Sequence, residues 1–179
     1  IEALHFEVLN KETTEQQLPA LMKPIMEGFN VGVISESGCP GVADPGALAV
    51  NYAHENHIQV VPLVGPSSIL LALMASGLNG QQFTFHGYLP IDAREAATRI
   101  KELERISKAK NQTQIFIETP YRNNAVFDHF LKTLHLETKL TVALDLTGLH
   151  EFVRTLTIEQ WKKQKQNWPK SPAVFLFLA

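Results

Sequence analysis

Short apolar runs alternate along the chain with longer segments of helical spacing, and this pattern predicts an α/β protein. In the first half, two runs rich in β-branched residues lack polar alternation, as is typical of strands buried on both faces of a parallel sheet. The predicted strands cover residues 3–9, 31–34, 58–63, 83–90, 114–118, 139–146, 149–156 and 172–178. The strand at 149–156 is expected to pair with the one before it.

Apolar residues recur at helical spacing between these strands. The predicted helices cover residues 15–27, 47–56, 69–76, 92–110, 124–134 and 158–165. Gly28 has the position of a glycine that ends the first helix, and Thr157 with Gln160 resembles a capping box that opens the last. The helix at 69–76 is apolar all round, which predicts a core helix. The pattern breaks at residues 79–82, so we expect one domain over 1–81 and a second over 82–179.

The segment of small residues at 35–46 joins a predicted strand to a predicted helix. Gly38, Gly41 and Gly46 can adopt backbone angles closed to other residues and let a ligand approach the main chain. Ligands of open α/β sheets bind at the carboxyl ends of such strands, so this loop is a candidate binding site. The same residues also fit an ordinary glycine-rich turn between strand and helix.

A second turn of this kind contains Gly65, Pro66, Ser67 and Ser68 and precedes the helix at 69–76. One of the two serines has the N-cap position, where free backbone N–H groups donate hydrogen bonds either to the serine hydroxyl oxygen or to polar atoms of a ligand. A plain N-cap is the simpler interpretation. The turn is too short for a phosphate-binding P-loop and has no lysine, so phosphate transfer is not indicated.

Composition narrows the function classes for these 179 residues. The net charge of −2 gives no global basic field, which weakens a role in nucleic-acid binding without excluding a local patch. A single cysteine, Cys39, excludes an internal disulfide and is typical of a reducing cytoplasm. No apolar run approaches the roughly 20 residues of a membrane helix, and we expect no signal peptide. The chain opens at Ile1 inside a predicted strand, so we expect an N-terminal part to be missing.

Two clusters of chemically capable side chains have simpler explanations than a site. His54 and His57 lie three residues apart on a predicted helix, but no third ligand accompanies them, so no metal site is predicted. Lysines surround Trp161 and Trp168 and could contact RNA. A solvated helix face with two packed indoles is the favoured interpretation of that cluster.

Six segments, in order, resemble one family. The loop Ser35-Glu36-Ser37-Gly38-Cys39-Pro40, continued by Ala43-Asp44-Pro45-Gly46, is similar to the Ser-Asp-Ala-Gly-Thr-Pro…Ser-Asp-Pro-Gly loop of the ribosomal RNA small-subunit (cytidine-2′-O)-methyltransferases, within the tetrapyrrole methylase superfamily. The other similar segments are residues 61–68 with 75–78, 83–90, 115–122, 144–151 and the terminal strand. Together they cover nearly the whole chain.

The resemblance implies two α/β domains with S-adenosylmethionine in the cleft between them, in a homodimer. The implied cofactor-binding residues are Ser37, Gly38, Cys39 and Val42 at the methionine end, Ser67 and Ser68 nearby, and Ile117, Glu118, Asp145, Leu146 and Thr147 as a wall near adenosine. A sugar hydroxyl needs a base, for which Glu118, Asp145 and Glu151 are candidates. Hydrogen bonding to the cofactor ribose, or an ion pair with Arg122, would explain these carboxylates as well.

The implied function is methyl transfer to a ribose 2′-hydroxyl of small-subunit ribosomal RNA. The alternatives are a methylase of a small tetrapyrrole-like molecule and a non-catalytic relative that binds the cofactor or only dimerises. Leu144 and Gly148 stand where the RNA methylases have basic residues, and Glu36, Ser37 and Cys39 replace Asp, Ala and Thr of their loop. The family's first strand and its Pro-Ile-Gly-Asn-Leu loop do not appear, so we expect that they precede Ile1 or that the chain alone is not a competent enzyme.

Overall fold

A computed structural model describes residues 4–35 and 38–179 and divides the chain into two compact units, residues 1–67 and 68–179. The sequence predicts its domain boundary later, between residues 81 and 82. The division of the protein into two domains at that position stays a prediction.

The first unit contains three helical segments and a longer helix. A 3-10 turn, Glu15–Gln17, is followed by α1 (Leu18–Leu21), α2 (Lys23–Met26) and, after the small-residue loop, α3 (Gly46–Glu55). The sequence predicts one helix over 15–27, but the structure interrupts it at Met22. Pro24 has no N–H and its ring clashes with the carbonyl four residues earlier, which explains the interruption. Gly28 has a φ of 90°, so the predicted glycine stop is confirmed.

The small core of the first unit forms where α3 packs against the α1–α2 region. Met22, Ala49 and Ala53 are buried there, and Leu9, Val33, Ile58 and Val60 are among the side chains that pack on them. The segments predicted as strands at 4–9, 31–34 and 58–63 contain no hydrogen-bonded strand in the described residues of this unit. That prediction was wrong.

The exposure of the apolar runs gives the reason. Ile34 is 75% exposed and Leu63 is 87% exposed, although both runs were expected to be covered on both faces. A strand also needs a neighbouring chain to satisfy its N–H and C=O groups, and these segments exchange no ladder bonds. Apolar composition without a paired neighbour does not produce a sheet.

The second unit is built on one mixed five-stranded sheet. Its strands are β1 (Phe83–Phe85), β2 (Thr113–Glu118), β3 (Lys139–Leu144), β4 (Phe152–Thr157) and β5 (Ala173–Leu178), in the order β1-β2-β5-β3-β4. β1 is parallel to β2, and β5 runs antiparallel to both β2 and β3. β4 pairs antiparallel with β3, as the sequence predicts. The α/β class is therefore confirmed.

Helices cover both faces of this sheet. They are α4 (Ser68–Ser76), α5 (Ala93–Lys110), α6 (Asn123–Thr133) and α7 (Ile158–Lys162). α5, α6 and α7 supply the larger core, in which Phe116, Phe175 and Trp161 are fully buried. The indole N–H of Trp161 donates to the carbonyl of Leu140 at 2.8 Å, so its polar atom is satisfied inside the core.

α4 covers the opposite face, where Ile69, Ala72 and Leu73 pack on Ile115, Val174 and Leu176. The hydroxyl of Thr155 on β4 donates to the carbonyl of Ser76 at 2.7 Å and fixes the end of this helix. The sequence predicts a helix buried all round, but Leu70 and Met74 are exposed. Only one side of α4 packs on the sheet, so its apolar residues on the other side remain exposed.

The capping box at the start of α7 is confirmed, since the Thr157 hydroxyl accepts from the N–H of Gln160 and the Gln160 side chain accepts from the N–H of Thr157.

Among residues 4–35 and 38–179, none of the helices combines the length and the apolar composition that crossing a membrane requires.

Candidate functional site

The loop before α3 owes its shape to one carboxylate. Oδ1 of Asp44 accepts hydrogen bonds from the N–H groups of Gly41, at 3.0 Å, and Gly46, at 2.8 Å. Gly41 precedes α3 and Gly46 is its first residue, so the carboxylate holds the loop in a closed turn at the start of this helix. Gly38 has a φ of 97° and Gly41 a φ of 79°, which favour glycine at both positions.

The same contacts hold the pKa of Asp44 below its ordinary value. The hydrogen bond from Gly41 contributes most, those from Gly46 and the Ser35 side chain add to it, and partial burial opposes them. The folded loop therefore favours the ionised form of this carboxylate.

Gly46 stands where no larger residue fits. A Cβ atom there would lie 2.8 Å from Oδ1 of Asp44, 3.0 Å from the backbone nitrogen of Gly41 and 3.1 Å from Cγ1 of Val33. Gly38 differs, because a Cβ atom at that position would meet nothing within 4 Å. The loop is thus closed at its helix end and open at Gly38.

The second predicted turn contacts this loop directly. The thiol of Cys39 donates weakly to the carbonyl oxygens of Pro66, at 3.4 Å, and Gly65, at 3.9 Å. The structure therefore brings Cys39 to the Gly65–Pro66 turn. The parallel strands that were expected to carry both turns are absent from the described residues of this unit. Val42 is exposed, and α4 begins at Ser68, directly after Ser67. Ser37 lies outside the described residues.

The remaining predicted site residues meet at one edge of the five-stranded sheet. Glu118 at the end of β2 and Leu144 at the end of β3 both pair with Ala173, the first residue of β5. Neighbouring strands lie about 4.8 Å apart, so the carboxyl ends of β2 and β3 are about 10 Å apart across β5. Ile117 and Glu118 thus share an edge with the loop at 145–147, and their assignment to a cofactor site stays a prediction.

Glu118 is the most buried of the three candidate bases, with 1% of its side chain exposed. Oε1 accepts from the N–H of Thr119 at 2.7 Å, and Oε2 lies 3.4 Å from Nη1 of Arg122. The guanidinium also donates to the carbonyls of Leu89 and Pro90. These contacts correspond to the ion-pair alternative for Glu118.

The loop after β3 is a tight turn closed by its own carboxylates. Asp145 has a φ of 48° and Thr147 a φ of 66°. Oδ2 of Asp145 accepts from the N–H of His150 at 3.0 Å, and Oε2 of Glu151 accepts from the N–H of Thr147 at 2.7 Å. Asp145 is half-buried and Glu151 is exposed, so both carboxylates can be reached from solvent.

Burial decides the role of the two tryptophans singled out in the sequence. Trp161 and Trp168 are both buried and pack edge-to-face against Phe127, so neither indole is free to stack on RNA. In the described part of the chain, His, Cys, Asp and Glu side chains do not gather in any group of three or more that could hold a metal ion.

Sequence reasoning did not assign Asp44 to the site, although Asp44 organises the first loop. The signal was present, because an aspartate followed by Pro-Gly at the start of a helix is a typical turn and helix-entry pattern. The contacts of Arg122 with Leu89 and Pro90 had no such signal, since they join residues 32 and 33 positions apart.

The chain is similar in sequence to bacterial ribosomal RNA methyltransferases. No protein-family model matches the chain. The ribosomal RNA small subunit methyltransferase I of Vibrio cholerae is 28% identical over 171 residues, which cover 94% of this chain and 58% of that protein. The protein of the same description from Mesorhizobium japonicum is 38% identical over 140 residues, covering 78% of this chain and 46% of its own length. The chain thus spans about half the length of these curated relatives.

Solved structures show the same fold at lower identity. The methyltransferase CobJ matches with a TM-score of 0.61 at 16% identity, covering 93% of this chain and 72% of that chain. The uroporphyrin-III-C-methyltransferase of Thermus thermophilus matches with a TM-score of 0.55 at 20% identity, covering 92% of this chain and 70% of that chain. At these identities the match concerns the fold alone.

Proposed function

Because this chain has the tetrapyrrole-methylase fold and its homologues are ribosomal RNA small subunit methyltransferases, we propose that it serves S-adenosylmethionine-dependent methyl transfer to a ribose 2′-hydroxyl of small-subunit ribosomal RNA. The observation that carries this proposal is the similarity to the Vibrio cholerae protein along 94% of the chain. A similarity of that extent includes both glycine turns and the sheet edge.

The geometry of the first loop supports cofactor binding. Gly38 leaves open space where a side chain would stand, and the contact from Cys39 to Pro66 keeps the second turn beside it. Exposed main chain of this kind can bind the polar groups of an amino acid. We assign the methionine end to Ser37, Gly38, Cys39 and Val42, with Ser67 and Ser68 nearby, and the adenosine end to Ile117, Glu118, Asp145, Leu146 and Thr147.

S-adenosylmethionine supplies a methyl group already activated by the positive sulfonium. The task left to the chain is to hold the acceptor hydroxyl in line and to exclude water. Asp145 and Glu151 are the carboxylates that an acceptor can reach, and either could take the hydroxyl proton. Glu118 is tied to Arg122, so we assign it to holding the loops after β1 and β2.

Three further parts of the proposal follow from the family resemblance. They are a cofactor cleft between two α/β domains, assembly as a homodimer and a cytoplasmic location. Each stays a prediction with its own test, respectively a co-crystal structure, light scattering and cell fractionation.

Isothermal titration with S-adenosylmethionine and S-adenosylhomocysteine tests the proposed cofactor. Binding at micromolar to millimolar concentration supports the proposal, and no binding at millimolar ligand removes the enzyme interpretation. Gly38→Val should abolish binding, because its side chain would fill the open space at the loop. Gly28→Val is the matched control, since Gly28 has a φ of 90° and equally open surroundings.

The acceptor is tested by methyl transfer to small ribosomal subunits that lack the modification. Transfer that depends on the cofactor supports the RNA branch. Transfer to a tetrapyrrole-like compound alone favours the small-molecule alternative, and cofactor binding without transfer to either acceptor favours a non-catalytic relative.

A further inference from the structure

Three loops of the second unit meet at the sheet edge that contains Glu118. The loops after β1 and β2 lie at this edge because the two strands are parallel, and the segment before β5 reaches it because β5 runs the opposite way. Each loop carries an exposed side chain that the proposed cofactor site does not use. These residues, Tyr88, Tyr121 and Lys170, are called the edge surface below.

The edge surface combines aromatic rings with a cation. Tyr121 is 81% exposed and Tyr88 is 56% exposed. Nζ of Lys170 lies over the Tyr121 ring, 5.2 Å from its centroid, within the range of a cation–π contact. This arrangement contrasts with the two tryptophans of the same unit, which are buried.

Buried polar contacts hold the edge surface in place. The side chain of Asn123, with 1% of the residue exposed, donates to the carbonyls of Pro169, at 3.2 Å, and Ser171, at 2.8 Å. These carbonyls flank Lys170 on both sides, and Asn123 lies two residues after Tyr121. This buried clamp therefore holds the backbone on both sides of Lys170 to the start of α6, next to the loop of Tyr121.

A second clamp ties the loop of Tyr88 to the loop of Tyr121. Arg122, next to Tyr121, donates to the carbonyls of Leu89 and Pro90, at 3.4 and 3.1 Å. The negative charge of Glu118 is offset by Arg122, whose Nη1 lies 3.4 Å from Oε2 of Glu118. Exposed aromatic rings supported by rigid backbone and accompanied by a lysine are what single-stranded nucleic acids bind.

We propose that the edge surface binds single-stranded RNA, with an unpaired base stacked on the face of the Tyr121 ring that Lys170 does not cover and the ammonium group of Lys170 facing a neighbouring phosphate. This inference rests on the proposed function, because it places the RNA substrate beside the assigned adenosine wall. The stacking is sequence-tolerant, since every base offers a π-face, and the lysine contributes a salt-dependent part of the affinity.

The test measures binding of a fluorescein-labelled single-stranded oligoribonucleotide of about ten nucleotides to the protein by fluorescence anisotropy at several salt concentrations. Tyr121→Ala should weaken binding at least about fivefold, because one stacked base is lost, while Tyr121→Phe should stay within about twofold. Lys170→Gln should weaken binding and reduce the salt dependence, whereas Lys110→Gln, at the C-terminal end of α5 and the opposite edge of the sheet, should change neither.

Titration with S-adenosylhomocysteine separates this inference from the proposed function. If Tyr121→Ala keeps cofactor affinity and loses RNA affinity, the inference stands. If both Tyr121→Ala and Lys170→Gln bind RNA as the unaltered protein does, or if no RNA binds at low salt, the inference is overturned even where the cofactor still binds. If the cofactor does not bind but RNA binding depends on Tyr121, the proposed function fails and the RNA surface remains.

Discussion

The sulfur of Cys39 lies 3.4 Å from the carbonyl oxygen of Pro66. This contact joins two turns that are 27 positions apart in the sequence, and it is made by the single cysteine of the chain. The first turn was predicted as a candidate binding site, the family resemblance implies cofactor contacts from the serines that follow the second, and the thiol joins the two turns. Cys39, which we assign to the methionine end of the cofactor site, thus also connects the two turns.

We expect Cys39→Val to weaken S-adenosylhomocysteine binding about two- to tenfold, because the Pro66 carbonyl loses its donor and the turns can separate. Cys39→Ser retains a donor and should remain within about twofold of the original affinity. Isothermal titration of both variants measures the difference. Equal affinity for the valine and serine variants would show that the contact does not position the site.

Gly46→Ala should lower the free energy of unfolding by about 1–3 kcal/mol, because the added methyl group would overlap Asp44 and Gly41 in a closed turn. Gly32→Ala is the matched control in the same unit, since a Cβ atom at Gly32 meets nothing within 4 Å. Urea unfolding followed by circular dichroism measures both changes. A loss at Gly32 as large as that at Gly46 would contradict the steric explanation.

Asp44 should make the first unit sensitive to acid. Its folded pKa lies below the ordinary aspartate value of about 3.9, so the unfolded chain takes up the proton first. The stabilisation is thus complete above about pH 4 and is lost as the pH falls from there through the folded pKa.

Asp44→Ala should lower the free energy of unfolding at neutral pH by about 1–3 kcal/mol, since two backbone N–H groups lose a charged acceptor. Asp44→Asn keeps an acceptor and should cost less, but it should remove the acid-dependent loss. Hydrogen exchange of residues 38–55 as a function of pH measures the effect. An unchanged acid response in the asparagine variant would exclude Asp44 as its source.

His86 should make the second unit less stable as the pH falls below about 6.5. The ring stacks on Phe116, with centroids 5.1 Å apart, and Nε2 lies 2.7 Å from Oε1 of Gln114. Burial lowers the pKa of His86, and the contact with Gln114 opposes that shift. The unfolded chain therefore binds the proton more readily, so stability is present at neutral pH and is lost on acidification.

Urea unfolding followed by tryptophan fluorescence reports on this unit, because Trp161 and Trp168 both belong to it. Between about pH 7.5 and 5.5, His86→Gln should show a smaller loss of stability than the unaltered protein. His135→Gln, which changes an exposed histidine of the same unit, should retain the full loss. An equal loss of stability in the His86 variant and the unaltered protein would show that His86 is not the source of the pH dependence.

Local signals predicted most of the second unit correctly. The alternation of apolar runs and helical spacing placed β2, α5, α6 and β5 within a few residues of their observed bounds, and the Thr157–Gln160 pair marked the start of α7. The first unit was predicted less well, because apolar runs at 31–34 and 58–63 lack paired neighbours among the described residues. Pairing is a property of two segments, and one segment's composition does not contain it.

The sequence by itself determined the α/β class, the two glycine-rich bends and the family resemblance, because propensity, turn residues and motif order depend on residues close together in the chain. The tertiary structure decided which residues share a surface. It placed Cys39 against Pro66, tied Arg122 to Leu89, and set Lys170 over Tyr121 while burying both tryptophans. The physical reason is that such contacts form only after strand register and packing have brought distant segments to the same edge, and no local pattern encodes that distance.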